Sequence, residues 1–362
     1  MKKLSLILLL LFATQSCKVS RFVYYNFANI TDHKIFPNRE LSKCDKPYYF
    51  EKQSNDSIPL KLLPKGYNSF EDYLAKNKTV AFLIIQDDTI KYENYFNKYN
   101  DSSIVASFSM AKSVASMLIG CAIDDGLIQS VDDPVTKYIP ELKKNGFDKV
   151  TIEHLLQMTS GLDFNESYFN PFGDAATFYY GRRLEKNIFK LKLKTKPGTQ
   201  FEYNSGNPQI LGLILQRVLK DKSITAYLQE KIWSKIGMEY DASWSLDKKN
   251  GLEKTFCCIN ARAIDFAKLG KLYLQKGRWN DKQIIPEQWV EKSTQLDTSK
   301  GSASYYQYQW WLPTQTGDFM AQGILGQFIY VNPSKNLIIV RLGKNYGKTD
   351  WESLFIRLAN FY

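Results

Sequence analysis

Apolar residues recur along this chain in two rhythms. From Thr79 to Phe96 the sequence reads TVAFLIIQDDTIKYENYF. β-Branched and aromatic positions flank Asp87-Asp88, which predicts two strands closed by a tight hairpin. From Ser109 to Asp125, SMAKSVASMLIGCAIDD is small and apolar all round and stops at Gly126, which predicts a buried helix. Helical spacing returns at Gly206–Leu219, Ile224–Ile236 and Ala261–Lys276, and Thr151 stands as a cap before Ile152-Glu153-His154-Leu155-Leu156. The strand pattern resumes at Tyr306–Trp311, at Gln327–Val331 and at Leu337–Leu342, the last two joined by the turn-rich 332–336. Residues 350–362 read as a closing helix. The order is two strands, a helical block, three strands and a helix. It predicts an α/β fold in which one antiparallel sheet is assembled from both ends of the chain, flanked by helices and interrupted by a large, mainly helical insertion. A pocket between sheet and insertion is the natural site.

Two segments lack a period. Residues 18–75 carry irregular aromatic pieces and read as a tether and an extension wrapped on the main domain. Residues 165–196 are aromatic and basic and read as a long loop over a site. The organisation expected is therefore a leader at 1–16, an extension over 17–67 and a main domain over 68–362. Its α/β part is 68–125 with 300–362, and its helical part 126–299.

Composition removes several classes of function. With 44% hydrophobic and 23% charged residues among 362, the chain is an ordinary globular one. Two histidines, His33 and His154, are too few for a multi-histidine zinc hydrolase. The net charge is +11, but acids are interleaved with the bases and no nucleic-acid signature is present, so a solvated basic surface is expected and no nucleic-acid partner.

The N-terminus changes the picture of the compartment. MKKLSLILLLLFATQS is a basic start followed by an apolar run from Leu4 to Ala13, an export signal too short to span a bilayer comfortably. It ends in Thr14-Gln15-Ser16-Cys17, which resembles a bacterial lipobox. That implies a lipid anchor on Cys17 and a lipoprotein exported to the periplasm or cell envelope. Of the other cysteines, adjacent Cys257 and Cys258 are not expected to pair with each other, because that bond strains the backbone, and buried free thiols are the favoured reading.

Candidate chemistry begins at Ser109-Met110-Ala111-Lys112. On a helix, residues three apart share a face with Cβ atoms about 5–6 Å apart. An amine thus sits beside a hydroxyl, and a lysine in a dry pocket loses its charge easily enough to take the serine proton. Ser245-Leu246-Asp247-Lys248 repeats the spacing, but in a charged run that reads as a surface turn. Tyr203-Asn204-Ser205, just before the helix at Gly206, offers a phenol to relay protons. Ala321-Gln322-Gly323-Ile324-Leu325-Gly326-Gln327 enters the last hairpin, where glycines let backbone approach a substrate.

In this order the three segments resemble the serine β-lactamase-like superfamily, in its class C-like branch. Asp132-Asp133-Pro134-Val135-Thr136-Lys137-Tyr138, Leu155–Gly161 and Lys196-Pro197-Gly198 look like its framework pieces, and the likeness spans roughly 68–345. YNSG and GILGQ resemble the 6-aminohexanoate-dimer hydrolase branch more than true β-lactamases. The resemblance implies a β-lactamase/transpeptidase-like fold and a Ser109 acyl-enzyme, with Lys112 as base and Tyr203 as proton shuttle. It implies oxyanion donors from the backbone N–H groups of Ser109 and Ile324, with Gly323 and Gly326 supporting them. Ser205 stands where the pattern has Asn, and its hydroxyl can take over that bond to Lys112. Ala321 stands where β-lactamases carry the lysine of K-T-G. The expected reaction is hydrolysis of a small-molecule ester, amide or peptide without metal or organic cofactor. A penicillin-binding D-Ala peptidase or β-lactamase on the same fold, and a non-catalytic lipoprotein that only binds, are the alternatives.

Overall fold

The computed structural model describes residues 18–25 and 27–362, so Cys17 and the leader before it lie outside the described residues. Strands β1 (Thr79–Gln86) and β2 (Thr89–Tyr95) form the expected hairpin. Asp87 and Asp88 both adopt positive φ, 49° and 59°, as a two-residue turn that matches strand twist requires. Helices α1 (Met110–Asp124), α2 (Gly206–Leu219) and α3 (Ala263–Leu274) follow, then β3 (Phe319–Gly323), β4 (Gln327–Asn332), β5 (Leu337–Gly343) and α4 (Trp351–Phe361). The main sheet runs Tyr306–Gln307, Trp310–Trp311, β3, β4, β5, β1, β2, Glu51–Lys52. Every pairing is antiparallel except the last. Ile84 of β1 faces Ile339 of β5, so the two ends of the chain meet at the centre of one sheet.

β1, β4 and β5 are mostly apolar because both faces of the sheet are covered there, whereas β2 alternates. Phe82, Ile84, Phe328, Tyr330 and Ile339 point to the side packed by Phe70–Lys76 and α4. Leu83, Ile85, Ile329, Val331, Ile338 and Val340 point to the side that holds α1, α3 and the rest of the helical block. Among the described residues no helix is long and apolar enough to cross a membrane.

The aperiodic segments hold short elements that leave no pattern in sequence. Lys18–Tyr25 is a helix, Asn38–Leu41 pairs antiparallel with Ala242–Ser245, and Glu51–Lys52 lies beside β2. Residues 165–196 contain two helices, Asp174–Tyr180 and Leu184–Ile188, where a loop is expected.

Two readings of the sequence are corrected here. Ser245 is not in a surface turn. It closes the strand that the Asn38–Leu41 segment covers, is fully buried, and donates to Asn38 Oδ1 at 2.8 Å, while Lys248 points to solvent. Cys257 and Cys258 are joined by a disulfide. The backbone strain that argues against such a pair is present and tolerated, with Cys258 held at φ 76°. Cys44 and Cys121 are buried free thiols.

Candidate active site

Phe108, at φ 44°, turns the chain sharply from the Val105–Ala106 strand into α1, and Ser109 occupies the N-cap of that helix. Its hydroxyl caps no backbone group. It instead receives Lys112 Nζ at 2.7 Å, from one helical turn on. Lys112 is 1% exposed, because α1 is buried on all sides. Its amine also donates to Ser205 Oγ at 3.2 Å and to the Phe256 carbonyl at 3.0 Å. These partners satisfy all three ammonium donors. Burial, opposed in part by the Glu166 charge, brings Lys112 down to about 8. An amine in that range exchanges its proton readily near neutrality.

Ser205 stands at the N-terminus of α2, so the starts of two helices converge on one amine. Glu166 fixes it, accepting from Ser205 N at 2.7 Å and from Ser205 Oγ at 2.7 Å, and it also accepts from Tyr168 Oη at 2.7 Å. Tyr203 lies with its ring centroid 5.0 Å from Lys112 Nζ, wedged against Trp311 and Tyr306. Of the groups around its hydroxyl, the Ser109 side chain favours the charged form. Burial first and the Glu166 charge second hold this phenol well above its usual range, so it stays protonated at neutral pH.

Gly323, at the end of β3, abuts the start of α1. A Cβ there would fall 2.4 Å from Ser107 O and 3.1 Å from Ser109 N, so only glycine lets this strand come so close to the serine N–H. Ile324 follows it into the wall of a cavity of about 440 Å³. Ser109 and Ser205 open onto this cavity, with Tyr168, Tyr179, Phe256 and Tyr346 among its walls. Phe22, Phe27 and Ala28 complete it from the N-terminal segment. Among the described residues no Lys, Arg, Asp or Glu lines it.

The structure thus brings Ser109, Lys112, Tyr203, Ser205, Gly323 and Ile324 together. Gly326 is elsewhere. A Cβ on it would overlap Arg341 Nη1, and its carbonyl accepts from that buried guanidinium at 2.6 Å. His154 is used in a capping box with Thr151. Glu166, the Phe256 carbonyl and the N-terminal cavity wall are absent from the sequence reading. A lone acid in an aromatic stretch, a backbone atom and an aperiodic segment carry no spacing signal that could have shown them.

Residues 68–353 match the Beta-lactamase family. The chain belongs to that family. Among curated relatives of this β-lactamase-family chain is the 6-aminohexanoate-dimer hydrolase of Paenarthrobacter ureafaciens. It is 27% identical over 306 residues, which cover 79% of this chain and 77% of that protein. A Bacillus anthracis structure provisionally named a 6-aminohexanoate-dimer hydrolase superposes with a TM-score of 0.81 at 26% identity, covering 92% of this chain and 93% of that one. A family VIII carboxylesterase shares the fold alone, with a TM-score of 0.64 at 17% identity over 81% of this chain and 94% of that one.

Proposed function

We propose that this β-lactamase-family chain is a serine hydrolase that cleaves an uncharged ester or amide through a Ser109 acyl-enzyme. One observation carries the reading. A lysine that is 1% exposed holds its amine 2.7 Å from the hydroxyl of a serine at a cavity wall. The neutral amine takes the Ser109 proton as Oγ bonds to the substrate carbonyl carbon. The negative charge that develops on the carbonyl oxygen is met by the N–H groups of Ser109 and Ile324. Tyr203, held protonated by burial, passes a proton to the leaving group as the bond from that group to the acyl carbon breaks. Water then attacks the acyl-enzyme, and the proton it loses returns through the same residues to Ser109. The hydrolase relatives named above support this class of reaction.

The apolar, uncharged wall supports an apolar acyl group as the part bound. A β-lactam or D-Ala-D-Ala substrate presents a carboxylate, and among the described residues no cation lines the cavity to receive it. Reaction with a fluorophosphonate and with a fluorescent penicillin tests the reading. Label from the first alone, lost in Ser109→Ala, is expected. Label that survives in Ser109→Ala overturns it.

A further inference from the structure

Phe27 and Phe169 of the cavity wall face water, and further exposed apolar side chains stand on the same two segments. Phe169 is 77% exposed, Phe172 74% and Tyr24 76%, with Val23 and Phe27 also open. Patches of this kind on a folded chain mark interaction surfaces. They sit on two segments packed together, the helix Lys18–Tyr25 and residues 164–180. Arg21 donates to the Tyr180 carbonyl at 2.6 Å, and the Phe27 ring stands 5.5 Å from Phe169. Phe27 also touches Phe22, which lines the cavity, so an apolar path runs from the rim to the Ser109 site.

Two features say what covers this rim. Lys18, where the rim helix begins, directly follows Cys17 and the apolar run Leu4–Ala13, so the chain's most lipophilic stretch joins the fold at this spot. Beside Phe172, Lys18, Lys190 and Lys192 line one groove, and Arg182 stands near Arg21. The acids of that groove are Asp163 and Asp174, and Asp174 accepts from the Asn165 N–H. Apolar rings flanked by cations are the pattern of a surface that lies on anionic lipid.

We propose that this rim is a lipid-docking face that seats the mouth of the Ser109 cavity on an anionic bilayer surface. The proposal does not depend on the hydrolase reading, since docking is measured without turnover. The full chain carrying Cys17→Ala serves as the parent, so that whatever residues 1–17 contribute is common to all samples. Partition onto phosphatidylglycerol/phosphatidylcholine vesicles is compared with that of Val23→Ser/Tyr24→Ser/Phe172→Ser, three exposed positions outside the cavity lining. A second variant, Lys190→Glu/Lys192→Glu, removes the charge instead. Each is expected to partition at least about tenfold more weakly, with an unchanged circular dichroism spectrum. Vesicles are expected to slow deuterium exchange over residues 18–28 and 164–173 of the parent and not of the variants. Equal partition, or exchange there that vesicles leave unaltered, overturns the proposal. A parent that dimerises without lipid, through a contact the triple variant loses, assigns the face to a second copy and overturns it too.

Discussion

Glu166→Gln should move the pH dependence of acylation toward acid. With Lys112 near 8, about one tenth of the amine is neutral at pH 7 and about one hundredth at pH 6. If Lys112 is the base, the rate of serine modification rises about 50-fold from pH 6 to pH 8 and levels above pH 9. Glu166 holds that limb up. Ser205 Oγ bridges the two groups, 3.2 Å from the amine and 2.7 Å from the carboxylate, so the charges are at most about 6 Å apart. At an effective dielectric of about 20, unit charges at that distance attract by roughly 2.8 kcal/mol. Glu166 is half-buried, and solvent screening cuts this to about half, or about one pH unit. Glutamine keeps an oxygen for the Ser205 N–H and removes the charge. The second-order rate constant for fluorophosphonate labelling, taken from pH 5 to pH 10, reads the limb without a titrating leaving group. The limb should fall from about 8 to about 7, with a rate at pH 6 close to tenfold higher relative to the plateau. A limb that stays, or that moves toward alkali, refutes the electrostatic account. A parent profile flat between pH 6 and pH 8 refutes Lys112 as the base.

Tyr203→Phe keeps the ring against Trp311 and loses the hydroxyl. Ester hydrolysis should fall about 10²–10⁴-fold with no change in Tm, and a Tm that drops with the rate would make Tyr203 a packing residue. Gly323→Ala should slow labelling by about 10²–10³-fold, because the new methyl forces β3 away from Ser109 N. Gly326→Ala should instead lower Tm through its clash with Arg341, so the two glycines separate by assay. Reduction of Cys257–Cys258 releases the strand end next to the Phe256 carbonyl that orients Lys112. Dithiothreitol should therefore slow labelling of the parent several-fold and leave the rate of Cys257→Ser/Cys258→Ser where it stands. Equal sensitivity of both would sever the disulfide from the site.

The fold was legible wherever one physical rule governs a long stretch. The largely apolar β1, β4 and β5 and the small-residue α1 announce burial on both faces of the sheet and around the helix. That the 79–96 hairpin shares a sheet with the strands near 327–342 followed from strand patterns at both ends of the chain with helices between, whereas the register of Ile84 on Ile339 came from the structure. Ser109 and Lys112 were legible because a helix converts a spacing of three into proximity. Glu166 was not, since its position depends on where residues 164–168 cross the start of α2. The Cys257–Cys258 bond was missed for a different reason. A local rule about strain predicts cost, and the buried strand around Ile259 is able to bear that cost.

The wall contributed by Phe22, Phe27 and Ala28 has an evolutionary consequence. These residues lie before position 68, outside the stretch that marks the family, and the arm that carries them is sewn down by pairing of Asn38–Leu41 with Ala242–Ser245. One side of the chamber is thereby written apart from the stretch that carries Ser109, Lys112 and Tyr203, while Tyr168, Phe256 and Tyr346 on its other walls lie within that stretch. A lineage can exchange the arm and redraw the chamber while Ser109, Lys112 and Tyr203 go untouched. Chimaeras that swap residues 18–45 between relatives should show acyl-chain preference travelling with the arm.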